Sequence, residues 1–248
     1  MKTGRFAGKS VLILGGNAGI GLAATRGFVE EGARVAITGR DQVTLDSVAR
    51  ELGVLAFRSD IADPEQSAAT IARAAQELDG LDVLFVNAGI GGFAPIAEVK
   101  PEFWDHIHNV NLRGCFFALQ QALPHLRDDG AIIVTGSIGS VAALPGNAVY
   151  AAAKAGLRAV ARTLAAELLP RRIRVNMVSP GPTETEIFKR GASDREIADM
   201  RKLLTDAVPL KRIAEASEIA RAVLFLASSE ASFINGVDLY VDGGCVEL

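Results

Sequence analysis

The chain has 248 residues, 49% hydrophobic and 22% charged, with a formal net charge of −3; this is ordinary globular composition. The charge balance argues against nucleic-acid and anionic-membrane partners, which both need a basic face. Its two cysteines, Cys115 and Cys245, lie far apart and outside any CxxC or Cys/His cluster, so neither a disulfide framework nor a metal site is expected.

Strand-like and helix-like segments alternate almost from end to end. Ser10–Leu14 reads as a strand that stops at a glycine cluster, and Ile20–Glu31 as the helix after it. Arg34–Thr38 is the next strand, followed by a helical stretch through Leu52. Val54–Phe57 is a third strand, and Pro64–Leu78 a helix with proline in its first turn. Asp82–Val86 is a fourth. Two helical stretches, around Pro101–Val110 and Leu112–Leu126, precede a fifth strand at Ala131–Thr135. An Ala-rich helix, Val149–Leu169, stops at Pro170, and Ile173–Val178 is a sixth strand. A looser charged segment, Pro180–Leu210, leads to a helix at Ser217–Ala227 and a last strand at Val237–Val241.

These strands are continuous apolar runs, as in a parallel sheet buried on both faces. With no linker or repeat to divide it, residues 1–248 read as one doubly wound α/β domain of the Rossmann type, with a seven-stranded parallel sheet and right-handed crossovers. Met1–Phe6 has no apolar core of signal-peptide length, and the longest apolar runs are strand-sized. A cytoplasmic protein is expected. Cys115, in Gly114-Cys115-Phe116-Phe117, reads as a buried, inert thiol.

The first strand runs into Gly15-Gly16-Asn17-Ala18-Gly19-Ile20-Gly21 and then a helix. Glycines in that place let the backbone approach a pyrophosphate, and the helix N-terminus offers oriented N–H groups. The second strand ends Ile37-Thr38-Gly39-Arg40. An NAD enzyme usually sets a carboxylate near this point for the ribose 2′-hydroxyl, whereas the 2′-phosphate of NADP favours a guanidinium. Arg40 therefore reads as NADP(H) preference, with NAD(H) the runner-up. The alternative is a solvated Arg40 paired with Asp41, and the loop itself adds no second basic residue. Asp60, after the third strand, either bonds the adenine amino group or serves a turn.

Tyr150 and Lys154 are four residues apart in the Ala-rich helix, which puts both on one face. A phenol titrates near 10, and an adjacent ammonium stabilises the phenolate that acid/base work requires. Ser137 follows the fifth strand, at the sheet edge where open α/β folds bind ligands, and its hydroxyl is placed to bond a substrate oxygen. Asn111 belongs to a helix that follows a stretch ending near the same edge. His106 and His108 face different sides of their helix and read as packing or solvent residues.

With the glycine loop, Asn87-Ala88-Gly89, Asn111, Ser137, Tyr150/Lys154, Pro180-Gly181 and the terminal Val241-Asp242-Gly243-Gly244 in this order, the chain resembles the short-chain dehydrogenase/reductase family over essentially its whole length. The resemblance implies a catalytic tetrad of Asn111, Ser137, Tyr150 and Lys154. Tyr150 would exchange the proton, Ser137 would hold the substrate oxygen, Lys154 would bind the nicotinamide ribose, and Asn111 would anchor a water. It implies cofactor contacts from Gly15, Asn17, Gly19, Ile20, Gly21, Gly39, Arg40, Asp60, Ile61, Asn87, Ala88, Gly89, Tyr150, Lys154, Pro180, Gly181, Thr183 and Thr185. It also implies a substrate lid near 183–210, and a homotetramer joined through the helices Leu112–Leu126 and Val149–Leu169. The other reading of that Ala-rich face is packing inside its own subunit.

Three residues depart from the family pattern: Leu14 in place of threonine, Val86 in place of asparagine, and Gly136 in place of serine. They are expected to loosen the bonds between the glycine loop and the fourth strand. The pocket residues Ile138, Gly139, Ala142, Leu144, Asn147 and Gly91–Phe93 are mostly small or apolar. An NADP(H)-dependent carbonyl reductase or alcohol dehydrogenase acting on a small uncharged ketone or secondary alcohol fits best. The alternatives are an NAD-dependent alcohol dehydrogenase, and a 3-oxoacyl-thioester reductase docking its carrier on Arg171, Arg172 and Arg174, a patch that Asp128 and Asp129 dilute. A lyase or epimerase, and a regulator that binds nucleotide without chemistry, fit less well.

Overall fold

Alternate residues of a strand point to opposite faces of its sheet, so a strand apolar at every position needs a hydrophobic layer on each side. The computed structural model, which describes residues 4–184 and 194–248, has this arrangement. Strands β1 (Ser10–Leu14), β2 (Arg34–Gly39), β3 (Leu55–Arg58), β4 (Leu81–Val86), β5 (Leu126–Thr135) and β6 (Arg174–Pro180) form one sheet with the last strand, Asp238–Val241. Its order is β3-β2-β1-β4-β5-β6 and then that last strand, with every pairing parallel.

Leu12 and Leu14 of β1 join one core with α3 (Pro64–Glu77), α5 (Cys115–Ala122) and α6 (Ala148–Glu167). Val11 and Ile13 join the other, with α1 (Gly19–Glu30), α2 (Gln42–Leu52) and α8 (Ala216–Ala227). The strand order reverses where β1 lies between β2 and β4. Open α/β sheets bind ligands in the crevice at the carboxyl ends of the strands beside such a switch point, and the glycine loop follows β1 there.

The two helical stretches expected around Pro101–Val110 and Leu112–Leu126 form a single path. α4 (Pro101–His108) continues through a π turn at Asn109–Gly114 into α5. A π turn accommodates one extra residue and is often found at functional sites; here it carries Asn111. Gly114 is required in it, because a Cβ would strike the Ile61 carbonyl oxygen. β5 begins at Leu126, ahead of the expected Ala131. Two strands too short to leave an apolar pattern, β7 (Thr183–Glu184) and β8 (Ala214–Glu215), pair separately. α7 (Asp194–Ala207) lies within the stretch expected as the lid, near 183–210, of which residues 185–193, Thr185 among them, lie outside the described residues. The strand Asp238–Val241 is β9. Among the described residues no helix is long and apolar enough to cross a membrane.

Cys115 is buried, with Sγ against the Val110 and Ala88 carbonyls, and burial pushes its thiol up to about 11. Trp104 and His108 stack at 4.0 Å, a packing role.

The opposite edge of the sheet is tied by Asp82 on β4. Its carboxylate accepts from Ser10 N at 2.9 Å, Lys9 Nζ at 3.0 Å and Arg127 Nη1 at 2.9 Å. Burial pushes this carboxyl up, but the Ser10 N–H, the Lys9 ammonium and the Arg127 guanidinium outweigh it and hold the group below its ordinary value. A lowered folded-state value means that Asp82 stabilises the fold above the unfolded carboxylate range, near pH 4. That contribution is lost as pH falls through the folded value. Asp82→Asn is expected to cost about 1–3 kcal/mol at neutral pH, with a smaller deficit at about pH 3. Denaturant unfolding of both proteins at the two pH values checks this; an equal deficit at both would remove the linkage.

Candidate active site

β1 ends in a turn that only glycine can make. Gly15 has φ +82° and Gly19 φ +51°, the left-handed region that L side chains avoid. The Gly15 and Gly16 N–H groups donate to Thr38 O at 3.0 and 3.1 Å, closing the loop onto β2. Gly21, one turn into α1, passes so close that a Cβ would lie inside contact distance of Gly15 O and 2.7 Å from Asn87 Nδ2. The start of α1 has no side-chain cap, so its first N–H groups and positive dipole end are left for an anion.

Asn87 binds this loop to β4 and β5. Its N–H and that of Ala88 donate to Leu14 O at 3.0 and 2.7 Å, and Asn87 Nδ2 donates to Gly15 O at 3.0 Å. Thr135 Oγ1 donates to Asn87 Oδ1 at 3.0 Å. The bonds between the glycine loop and β4 are thus present despite Leu14, Val86 and Gly136. Leu14 and Val86 face each other in register across β1 and β4 and are both buried in one core, so the two departures form an apolar pair. At Gly136 a Cβ would strike Ser179 Oγ. That hydroxyl donates to Asp238 Oδ1 at 2.5 Å, beside Arg158 Nε at 3.1 Å from Asp238 Oδ2.

The far end of the crevice lies at the tips of β2 and β3. The Asn17 side chain lies over Gly39, where a Cβ would strike its Oδ1, and Asn17 Nδ2 donates to Thr44 Oγ1 at 2.7 Å. Arg40 is exposed there. Asp41, its alternative partner, instead caps α2 by accepting from Thr44 N at 2.7 Å, and that backbone bond holds its carboxyl below the usual range. A second guanidinium stands beside Arg40: the register pairs Gly39 with Arg58, and Arg58 Nε donates to Arg40 O at 3.2 Å. The sequence gives no hint of it, since it comes from the next strand. Asp60 Oδ1 accepts from Ala62 N at 3.0 Å, a turn bond, and Ile61 is buried in the core.

The near end gathers the four tetrad residues. Lys154, 3% exposed, donates from Nζ to Thr135 O at 2.9 Å, and its ammonium is 5.8 Å from the centre of the Tyr150 ring. Thr135, the last residue of β5, thus holds both Lys154 and Asn87, a junction the sequence does not reveal. Asn111 is fully buried; its Oδ1 accepts from Ile90 N at 3.1 Å, and its Nδ2 donates to Ile90 O and Ile107 O at 2.9 and 3.0 Å. The Asn111 amide is thus divided between Ile90, just after Gly89, and the Ile107 carbonyl of its own helix. A Cβ at Gly89 would lie 2.9 Å from Asn111 Oδ1 and 3.5 Å from Lys154 Nζ.

Ser137 Oγ accepts from Gly139 N at 3.0 Å. A methyl group built on Gly139 would sit 2.7 Å from Asn147 Nδ2, 3.2 Å from Ser137 Oγ and 3.6 Å from Tyr150 Cδ1, one point touching all three. Pro180, Gly181 and Thr183 close the crevice beyond β6, with Gly181 N donating to Val241 O at 3.1 Å and Thr183 Oγ1 to Gly181 O at 2.9 Å. The three arginines considered for carrier docking are engaged within the chain. Arg171 pairs with Asp128, Arg172 with Asp129, and Arg174 donates to Leu226 O and Ser228 O.

A family model described as enoyl-(acyl carrier protein) reductase matches residues 15–246. The 3-oxoacyl-(acyl-carrier-protein) reductase of Thermotoga maritima is 35% identical over 98% of this chain and 99% of its own. Two solved structures align over nearly the whole chain. A short-chain dehydrogenase/reductase double mutant from Serratia marcescens has a TM-score of 0.91 at 32% identity, covering 98% of this chain and 99% of that one. BdcA in complex with NADPH has a TM-score of 0.87 at 34% identity, covering 97% and 95%. The chain belongs to the short-chain dehydrogenase/reductase family of nicotinamide-dependent oxidoreductases.

Proposed function

We propose that the protein is an NADP(H)-dependent carbonyl reductase or alcohol dehydrogenase acting on a small uncharged ketone or secondary alcohol. The observation that carries this reading is the convergence of Ser137 and Tyr150 on one point, with Lys154 buried behind them. The residues fit a dinucleotide: the uncapped first N–H groups of α1, a Gly21 with no room for a side chain, and a lysine held at the sheet edge. The bound nicotinamide supplies or takes up the hydride.

Tyr150 gives its phenolic proton to the substrate oxygen in reduction and takes it back in oxidation. Ser137 Oγ–H bonds that oxygen as charge develops on it. The Lys154 ammonium offsets the negative charge left on Tyr150 and would hold the nicotinamide ribose. Asn111 is assigned a positioning role: its amide holds Ile90, next to the Asn87–Gly89 segment, and it would anchor a water that leads on from Lys154. NADPH oxidation with a panel of ketones tests the activity; no turnover, with cofactor bound, would favour the regulator reading.

The preference for NADP(H) over NAD(H) rests on Arg40 with Arg58 beside it, and on Gly39 in place of an acid. A charge-assisted bond of this kind contributes about 1.5–3 kcal/mol, roughly ten- to a hundredfold in affinity. Arg40→Ala is expected to weaken NADPH by that factor and NADH by less than about threefold, and Arg58→Ala to act in the same direction more weakly. Paired fluorescence titrations check this, and equal losses for both cofactors defeat the assignment. A carrier-bound 3-oxoacyl thioester is less favoured, because Arg171, Arg172 and Arg174 already have partners.

α7 is proposed as part of the lid, with Met200 and Leu203 exposed on it. A homotetramer is proposed on a strip of exposed small residues, Ala152, Ala155 and Ala159 of α6, near the exposed Phe116 of α5. Light scattering is expected to give four subunits, and Ala155→Arg fewer. Free thiols at Cys115 and Cys245 support a cytoplasmic location.

A further inference from the structure

Asn147 stands immediately before α6, a position where asparagine ordinarily turns its side chain to cap the first N–H groups of the helix. Here it makes no cap bond. The residue is nonetheless only 3% exposed, and no hydrogen bond holds its side-chain amide among the described residues. Neither amide atom is among the fully buried unpartnered polar atoms of the described residues, so the amide keeps a small contact with solvent and its hydrogen-bonding capacity is free for a ligand.

The direction of the amide shows where that capacity lies. Its Nδ2 reaches the point beside Gly139 that also touches Ser137 Oγ and the Tyr150 ring. Gly139 keeps that point open, since a Cβ there would lie 2.7 Å from the amide nitrogen.

We infer that Asn147 selects the substrate, donating a hydrogen bond from Nδ2 to a second oxygen carried one or two carbons from the reacting carbonyl. This deepens the proposed oxidoreductase reading and rests on it. The substrate class is then an α- or β-oxygenated ketone, and in the reverse direction the matching diol or hydroxyketone. A plain ketone leaves the amide unbonded, which is the loss a site built around a polar group imposes on an analogue lacking that group.

The test uses two matched pairs, 2,3-butanedione against 2-butanone and 2,4-pentanedione against 2-pentanone, with NADPH. The diketones are intrinsically stronger electrophiles, so the quantity read is the change in the kcat/KM ratio between parent and variant, in which that reactivity cancels. Asn147→Leu is expected to lower the ratio by about tenfold or more. Asn147→Asp keeps the shape, removes the donor, and is expected to move the ratio the same way, so the outcome does not hang on one variant's folding. A ratio unchanged in both variants overturns the inference.

A second readout needs no turnover. Calorimetry of 2,3-butanediol and 2-butanol on NADP+-saturated protein is expected to show the diol bound about tenfold tighter, and the difference lost in both variants. Failure to reduce any ketone, with this difference present, defeats the reductase reading and keeps Asn147. Indistinguishable or absent binding of diol and alcohol, in a protein that reduces ketones, defeats Asn147 and keeps the reductase.

Discussion

Tyr150→Phe is expected to lower ketone turnover by about 10²–10⁴-fold, the usual contribution of a positioned acid/base, while NADPH binding stays within about twofold of the parent. The substitution removes one oxygen and leaves the ring on α6. Lys154 keeps its bond to Thr135 O, because that contact does not involve the phenol. Ser137 keeps the N–H of Gly139. What disappears is the group proposed to carry the proton to the substrate oxygen, so the loss is expected on kcat and not on cofactor affinity. Steady-state kinetics with a fluorescence titration of the same variant separate the two quantities. Turnover near the parent value would take Tyr150 out of the mechanism.

Gly21→Ala is expected to weaken NADPH by about 100-fold or more and to cost about 1–3 kcal/mol of stability, the typical range for overpacking. The new methyl would press on Gly15 O and lie 2.7 Å from Asn87 Nδ2. Neither neighbour can give way cheaply. The Gly15 N–H is bound to Thr38 O and the Gly15 carbonyl to Asn87, which is itself held by Thr135. The strain therefore opens the phosphate-binding turn, which the dinucleotide requires closed. Titration and thermal melting measure both effects, and unaltered NADPH affinity would place the pyrophosphate elsewhere.

What the sequence made legible was local. The glycine turn, the Tyr150–Lys154 spacing and the continuous apolar strands each depend on residues a few positions apart, so periodicity and turn chemistry reach them. The seven-stranded sheet followed from strand–helix alternation, which leaves few topologies open. What escaped depends on pairing across the sheet. Arg58 lies beside Arg40 only because β3 registers Gly39 against Arg58. Thr135 links Asn87 and Lys154 from the end of a strand with no polar signal around it. The π turn at Asn109–Gly114 joins α4 and α5 where the pattern showed two stretches, because a single inserted residue hardly disturbs the helical period. Asn147 was recognisable as polar, but the absence of a partner for it appears only in three dimensions.

The room at Gly136 filled by the Ser179 hydroxyl, and the apolar pair Leu14 and Val86, bear on how this chain can be engineered. Restoring the residues common among relatives is ordinarily a dependable way to stabilise a protein. At these sites it would fail one step at a time. A serine at 136 collides with Ser179 Oγ and displaces the bond to Asp238, and a lone threonine at 14 or asparagine at 86 buries a polar group against an apolar partner. Each position is coupled to a neighbour on the adjacent strand, so the useful unit of replacement is the pair. Ancestral or consensus libraries built residue by residue would discard changes that succeed when made together.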